Sequence, residues 1–408
     1  MEDTSAGAAL SFIPVPGVRL SAVAAGIRYQ NRDDLCLIEL APGTQCAAVF
    51  TRNAFCAAPV ILAQRHLATG ILPRYFLINS GNANAGTGSP GLTDAGTSCA
   101  ALAALAGCRV EEILPFSTGI IGEPLPLDRL VAALPAALSA LNPDRWPVAA
   151  RAIMTTDTRP KLVSRRLVIA GREAVITGIA KGAGMIRPDM ATMLAFLATD
   201  VAITPGLLQA CLAAAVDVSF NAISIDGDTS TNDACALAAT GALGNPPISD
   251  PKSVDYQVLK QAIEDVCRAL ATAIVRDGEG ATKCVTLLVE EAATPQEARR
   301  VAETIAHSPL VKTDLFASDP NCGRILAAVG RAGIQDLDIE RVRLWLGPIL
   351  IVSKGGRDPS YTEEAGRQAM AGQDILIRVA LGRGQSRVEM LTCDLSYDYV
   401  KINAAYRT

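Results

Sequence analysis

An α/β or α+β architecture with much antiparallel sheet is what this sequence predicts. Three observations carry the expectation. Strand-like and helix-like segments alternate along the 408 residues. Hydrophobic residues make up 50% of the chain and charged ones 19%, which supplies a sizeable core. Two β-rich runs between Leu162 and Ala180, LVSRRLVIA and EAVITGIA, flank Gly171-Arg172 as a hairpin would. This length suits two domains, or one large domain with an appendage, and the boundaries are weakly determined because no repeat, low-complexity tract or linker stands out.

The elements follow in order. Tyr75 to Asn79 (YFLIN) reads as a short strand running into a Gly/Asn-rich turn, and Leu92 to Cys108, rich in Ala and Leu with Gly107 near its end, as a helix. Asp128 to Leu141 is helical with Pro135 as a kink, and the hairpin of 162–180 comes next. Pro205 to Val216 and Tyr256 to Val275 read as helices, Val285 to Val289 as a strand, and Arg324 to Ala332 as a helix. Strands are expected near Val342 to Val352, Ile375 to Leu381 and Val388 to Cys393, with strand-like character continuing to Ile402.

Composition narrows the function. Thirty-seven basic and 41 acidic side chains give a net charge of −4, no footprint for a phosphate backbone or an anionic membrane. The longest weakly polar stretch, Val201 to Val216, contains Pro205 and Gln209 and is too short to span a bilayer. Eleven cysteines are scattered without a C-x-x-C pair, and no secretory n-region and h-region is present. They are expected to be reduced, mostly buried small hydrophobes in a cytoplasmic protein. The two histidines, His66 and His307, lie in helix-like surroundings without a second ligand at metal spacing and read as surface or capping residues, which leaves zinc chemistry and a Ser-His-Asp triad without support.

Three polar clusters are candidates for chemistry. Asn79 to Gly88 (NSGNANAGTG) sits between a strand and a helix, where either a phosphate cradle or a tight structural loop is expected; it lacks the P-loop lysine. Asp226 to Asp233 (DGDTSTND) has calcium-loop-like carboxylate spacing, but its sixth position is Thr231 and its twelfth Leu237, so a hydrogen-bonded turn is the expectation and no metal is assigned. The third cluster, Lys181 to Phe196 (KGAGMIRPDMATMLAF), holds a Gly/Pro loop before an apolar strand that opens on Thr192 after the small Ala191. That pattern suits an N→O acyl shift in which Thr192 Oγ attacks the Ala191 carbonyl. Hydrolysis of the ester frees a chain whose α-amino group, with an unperturbed pKa of about 7.7–8.0, can serve as general base. A threonine opening a buried strand is commonplace, so the pattern alone does not establish the reaction.

The block KGAGMIRPDMATMLAFLATD closely resembles the self-cleavage region of the bacterial ornithine acetyltransferase family, processed between Ala and Thr of M-A-T-M-L. Further segments resemble the family in family order: Phe50 to Asn53, Phe55 to Pro59, Asn79 to Asn84, Ser117 to Gly119, Met154 to Thr158, the run from Asp226, Arg276 to Lys283, Asp319 to Asn321 and Lys401 to Asn403. Essentially the whole chain is covered. Departures are Gly86 in place of a Cys, Asp189 where Asn is common, and Cys322 where Trp is frequent.

The resemblance implies a layered sheet-and-helix, N-terminal-nucleophile-like fold with a second, smaller α/β region towards the C-terminus. It implies cleavage at Ala191-Thr192 into an alpha chain of residues 1–191 and a beta chain of 192–408, assembled as a heterotetramer of two of each. Thr192 would be the nucleophile, Thr118 and Gly119 the oxyanion hole, and Thr158, Lys181, Thr192, Glu279, Asn403 and Thr408 the substrate contacts. The implied reaction moves acetyl from N2-acetylornithine to glutamate through acetyl-Thr192, without a cofactor. Some members also take acetyl-CoA as donor. Two rival readings are a hydrolase or aminopeptidase of similar architecture, and a non-catalytic relative that keeps the fold.

Overall fold

The computed structural model describes residues 11–187 and 193–405. Two compact units divide the described residues. The first draws on Met1–Gly182, Asp189–Phe220 and Thr229–Ala271, the second on Ala183–Pro188, Asn221–Asp228 and Thr272–Thr408.

In chain order the elements up to the middle of the sequence are β1 (Val18–Val23), β2 (Leu35–Leu40), β3 (Gln45–Phe50), α1 (Ala58–Ala68), β4 (Tyr75–Asn82), α2 (Gly88–Ala106), β5 (Ile113–Ile120), α3 (Leu127–Ser139) and α4 (Trp146–Ala152). They continue with β6 (Lys161–Ile169), β7 (Arg172–Lys181), β8 (Leu194–Thr199), α5 (Pro205–Asp217), β9 (Ala234–Ala239) and α6 (Val254–Arg276). The remainder are β10 (Cys284–Ala292), α7 (Pro295–Ala306), α8 (Pro309–Ala317), α9 (Cys322–Gly330), β11 (Arg343–Leu346), β12 (Ile349–Ser353), β13 (Gly356–Arg357), α10 (Glu363–Met370), β14 (Asp374–Ala380), β15 (Ser386–Cys393) and α11 (Tyr397–Ala404).

The first unit is layered. One sheet runs β1-β2-β4-β5 and the other β3-β9-β8-β7-β6. Their facing sides share one core, in which Phe116 meets Phe196 with ring centroids 4.9 Å apart, while Phe76 stands 5.6 Å from Phe116. The outer side of the first sheet is covered by α2 and α3 through Cys99, Leu102, Leu130 and Leu134. On the outer side of the second sheet, Gly178 leaves room for α6: a Cβ there would stand 3.2 Å from Val266 and 3.1 Å from Leu270. Strands β8 and β9 are buried on both faces, which is why they read as unbroken apolar runs. The β6–β7 hairpin turns at Ala170-Gly171, both at positive φ (49° and 73°), the geometry a two-residue primed turn requires.

The second unit holds the smaller sheet, β13-β12-β11-β14-β10-β15, in which β10 and β14 are parallel and the other pairs antiparallel. Helices α7 and α9 pack on it through Val301, Ile305, Ile325 and Val329. The mixed α/β class, the layered arrangement and a second α/β region towards the C-terminus are thus as the sequence predicts.

Two expectations need correction. Strand character does not continue from Val388 to Ile402: β15 ends at Cys393, and Ser396, whose Oγ accepts the Tyr399 N–H at 3.4 Å, caps α11. His66 is not a surface residue. It is buried, with Nδ1 2.7 Å from the Ile113 carbonyl, and so ties α1 to β5. His307 does stand at a helix end, directly after α7. Among the described residues the eleven cysteines are all unbridged, seven of them buried, and no helix is long and apolar enough to cross a membrane.

Candidate active site

In the first unit, β4 and β5 run parallel with Ser80 opposite Thr118 and Gly81 opposite Gly119. Gly119 adopts a φ of 136°. A Cβ on it would stand 2.2 Å from the Gly81 carbonyl carbon and 2.5 Å from the Asn82 nitrogen, so the two backbones touch where no side chain fits. The N-S-G-N and S-T-G motifs therefore form one crossing. Asn79 Nδ2 donates to the Asn82 carbonyl (2.9 Å) and Ser117 Oγ to Asn79 Oδ1 (2.6 Å). Asn232 Nδ2, from the turn before β9, donates to the carbonyls of Ala83 (2.6 Å) and Ser117 (2.9 Å) and so fastens the crossing. The following glycine-rich turn is tied internally, with Asn84 Nδ2 on the Gly91 carbonyl and Thr87 Oγ1 on Asn84 Oδ1, both at 2.9 Å. Of its two readings, these bonds favour the structural loop.

Lys181, the last residue of β7, points at this crossing: its Nζ donates to Thr118 Oγ1 at 3.3 Å. Behind it lies a buried group of charges. Asp157 Oδ1 accepts from Lys161 Nζ and from the Gly182 N–H, both at 2.6 Å, and Oδ2 accepts the Thr155 N–H at 3.0 Å. Burial pushes the Asp157 carboxyl up, but the charges of Lys181 and Lys161 and the hydrogen bonds from Gly182 and Lys161 outweigh it and hold the pKa at about 2. Lys161, Lys181 and ionised Asp157 together carry one positive charge in excess, a setting for an anionic substrate group. Thr158, beside Asp157, is exposed.

Met193 stands directly before β8. Its N–H donates to Asp233 Oδ1 at 3.0 Å, and its carbonyl accepts the Ala234 N–H at 3.1 Å. Ala191, Thr192 and Thr408 lie outside the described residues, as does the Asp189 departure.

The second unit holds the other assigned contacts. The Glu279 N–H donates to the Ala183 carbonyl at 2.7 Å, which joins the K-G-A-G turn to the R-D-G-E-G run. A Cβ on Gly184 would stand 2.5 Å from the Glu279 carboxyl carbon, so the carboxylate needs a glycine at that place. Asn403, on α11, donates Nδ2 to Glu279 Oε2 (2.7 Å) and to the Tyr399 carbonyl (3.0 Å). The Asp226 carboxylate accepts the N–H groups of Met185 (2.5 Å), Ile186 (2.9 Å) and Asp228 (3.2 Å), the hydrogen-bonded turn expected of the calcium-like run. No group of three or more His, Cys, Asp or Glu is placed to hold a metal among the described residues.

The structure thus brings Thr118, Gly119 and Lys181 together in one unit, and Glu279 with Asn403 in the other. Reading the sequence missed Asp157, Lys161 and Asp233 as members of these clusters. Asp157 and Asp233 lie inside quoted motifs, M-T-T-D-T and D-G-D-T-S-T-N-D, which is the signal that points to them.

Comparison with known proteins agrees with the motifs. The model of the ArgJ family matches residues 19–408. The chain is 60% identical over 395 residues to the arginine biosynthesis bifunctional protein ArgJ of Methylococcus capsulatus, covering 97% of this chain and 96% of that one. It is 54% identical to the protein of the same name from Psychrobacter arcticus, covering 97% of each. A crystal structure of the arginine biosynthesis bifunctional protein argJ from Bacillus halodurans aligns with a TM-score of 0.49 at 38% identity, over 52% of this chain and 98% of that chain. On the match that spans all but its first residues, the chain belongs to the ArgJ family, the ornithine acetyltransferases that its motifs resemble.

Proposed function

We propose that this chain transfers acetyl from N2-acetylornithine to glutamate by double displacement through an acetyl ester on Thr192. The observation that carries the reading is the Thr118 hydroxyl, beside Gly119 and 3.3 Å from buried Lys181. Thr192 Oγ attacks the acetyl carbonyl while its proton passes to the α-amino group of the same residue. The negative oxygen forms against the Thr118 hydroxyl and the Gly119 N–H. Collapse breaks the C–N bond, and the proton leaves on the amine of ornithine. The amine of glutamate then attacks the ester, N-acetylglutamate departs and Thr192 regains its proton.

Lys181 and Glu279 complement the carboxylate and the cationic side chain of an amino-acid substrate, with Thr158, Asn403 and Thr408 as neutral contacts. The relatives' name, bifunctional protein of arginine biosynthesis, supports acetyl-CoA as a second donor. We place the enzyme in the cytoplasm, cleaved into chains 1–191 and 192–408 and assembled from two of each.

Denaturing electrophoresis with N-terminal sequencing tests the reading. Purified protein should yield a chain beginning Thr-Met-Leu-Ala-Phe, and Thr192→Ala should stay whole and inactive. Full activity from a single 42.5 kDa chain would overturn it. Product analysis separates transfer from hydrolysis: acetate release independent of glutamate would point to a hydrolase.

A further inference from the structure

Strands β10 and β15 carry two cysteines directly opposite each other, Cys284 and Cys393, and the acetyl transfer above gives neither a task. Val285, Leu287 and Met390 of these strands share a core with α7 and α9, and side chains alternate along a strand, so both cysteines point to the other face of the sheet. The Cys284 N–H donates to the carbonyl of Gln373, directly before β14, at 2.8 Å. A residue in a strand sends its N–H and C=O to the same side, so Cys284 sends neither toward β15. On the far side, the Cys393 carbonyl accepts from Lys312 Nζ, on α8, and so turns away from β10. The two cysteines are therefore a non-hydrogen-bonded pair, the kind in which antiparallel strands come closest, with Cα atoms about 4.5 Å apart.

A disulfide needs Cα atoms about 4.4–6.8 Å apart and side chains on one face, and this pair offers both. Both thiols are free and buried, Cys284 at 7% exposure and Cys393 at 1%. Cys393 Sγ lies 3.7 Å from Lys312 Nζ and 4.0 Å from the Ile225 carbonyl. Burial pushes both thiols up, opposed by the Lys312 charge at Cys393 and by the Arg276 charge at Cys284, and the Cys393 thiol is near enough to add to the rise at Cys284. The pair also stands at the root of two segments of the site. Cys284 directly follows the R-D-G-E-G-A-T-K run that carries Glu279. Cys393 directly precedes Asp394, whose Oδ1 accepts the N–H groups of Thr282 (2.8 Å) and Lys283 (2.9 Å), and beyond it Ser396 caps the helix that carries Asn403.

We propose that Cys284 and Cys393 are a reversible disulfide site, oxidised by a low-molecular-weight disulfide. The more exposed Cys284, as thiolate, attacks one sulfur of the small disulfide, which gives a mixed disulfide and releases one small thiolate. Cys393, its thiolate favoured by Lys312, then attacks Cys284 Sγ. The bond between the two cysteines forms, the mixed disulfide breaks, and a second small thiolate leaves. Two electrons pass to the small disulfide, and the two cysteine protons end on the two small thiols it yields. Excess small thiol runs the exchange backwards, so in a reducing compartment the pair rests as two thiols. Once formed, the bridge closes residues 285–392 into a loop and restricts the unfolded chain, so the oxidised protein resists heat better.

The test treats the purified protein with 2-hydroxyethyl disulfide at about pH 9, on the alkaline side of an ordinary thiol. Proteolysis without reductant should then yield one pair of peptides joined through Cys284 and Cys393, lighter than their sum by two hydrogens and separated by dithiothreitol. The thermal midpoint should rise by roughly 5 °C or more and fall back on reduction. Cys284→Ser should give neither the joined peptides nor the rise. Thiols that stay free, a lasting mixed disulfide on Cys284, Cys393 joined to another cysteine, or an equal rise in Cys284→Ser would each overturn the proposal. If that variant does not fold, the peptide map of the wild-type protein decides. Neither cysteine enters the acetyl transfer, so the outcome is independent of the reading of Thr192.

Discussion

Lys181 Nζ donates to Thr118 Oγ1 across 3.3 Å, so the lysine occupies an acceptor site of the hydroxyl and leaves its proton to be donated elsewhere. A hydroxyl polarised in this way is a better donor to a developing oxyanion than an isolated one. Thr118→Ala should lower kcat by about 10²–10³ at similar KM, and Thr118→Ser should retain most of the rate. Steady-state kinetics over both substrates checks this. A raised KM at normal kcat would reassign Thr118 to binding.

A covalent intermediate predicts parallel double-reciprocal plots for N-acetylornithine and glutamate. With donor alone, one acetyl group should appear by mass on the chain that starts at Thr192. Intersecting lines and no acylated species would indicate direct transfer in a ternary complex.

Gly119 and Gly96 make a paired test of backbone crowding. A Cβ on Gly119 would stand 2.2 Å from the Gly81 backbone, whereas one on Gly96, within α2, would meet nothing within 4 Å. Gly119→Ala should cost on the order of 3 kcal/mol and abolish turnover, because backbone cannot yield as a side-chain end does. Gly96→Ala should stabilise by roughly 0.5–1 kcal/mol, and urea unfolding measures both.

At Gly184 the same addition meets the Glu279 carboxyl at 2.5 Å, and that side chain can swing away. Gly184→Ala should therefore fold, yet weaken N-acetylornithine. Loss of one charged hydrogen bond corresponds to about 10–100-fold in kcat/KM. Unchanged kcat/KM would take Glu279 out of the substrate contacts.

Asp157 links stability to pH. Its carboxyl lies at about 2 in the folded chain, against an ordinary value of 3.8. The stabilisation is therefore complete above the unfolded value and is lost as pH falls through the folded one. Asp157→Asn should cost about 2 kcal/mol at pH 7, and the gap to wild type should begin to narrow below about pH 4. Denaturant midpoints measured from pH 7 to pH 3 follow it, and a constant gap would contradict the assignment.

What the sequence made legible followed from local chemistry. The hairpin of 162–180 is local: two β-rich runs meet at a turn whose two residues take positive φ. Helix α7 also carries a local signal, Thr294 three residues before Glu297, and the Thr294 Oγ1 does accept the Glu297 N–H at 3.1 Å, although this helix was not among the expected elements. The stretch after Cys393 misled because Tyr397, Val400 and Ile402 suit a strand by type, while the Ser396 cap starts a helix there. The clusters at the site were illegible for another reason. Asp157 meets Gly182 and Asp233 meets Met193 only after strands from distant parts of the chain align, and a carboxylate's role is set by what folds onto it.

The order β3-β9-β8-β7-β6 has a consequence for the severed molecule. A cut before residue 192 puts β3, β6 and β7 on one product and β8 and β9 on the other, so that the second product's two strands lie between strands of the first within a single sheet. The products are then braided along two seams, β3 with β9 and β7 with β8, and neither seam can open without stripping a hydrogen-bonded ladder from a buried sheet. Separation of the fragments and unfolding become the same event. Recovery from denaturant changes from a first-order process in the whole chain to an encounter between two molecules, so dilution alone should slow it.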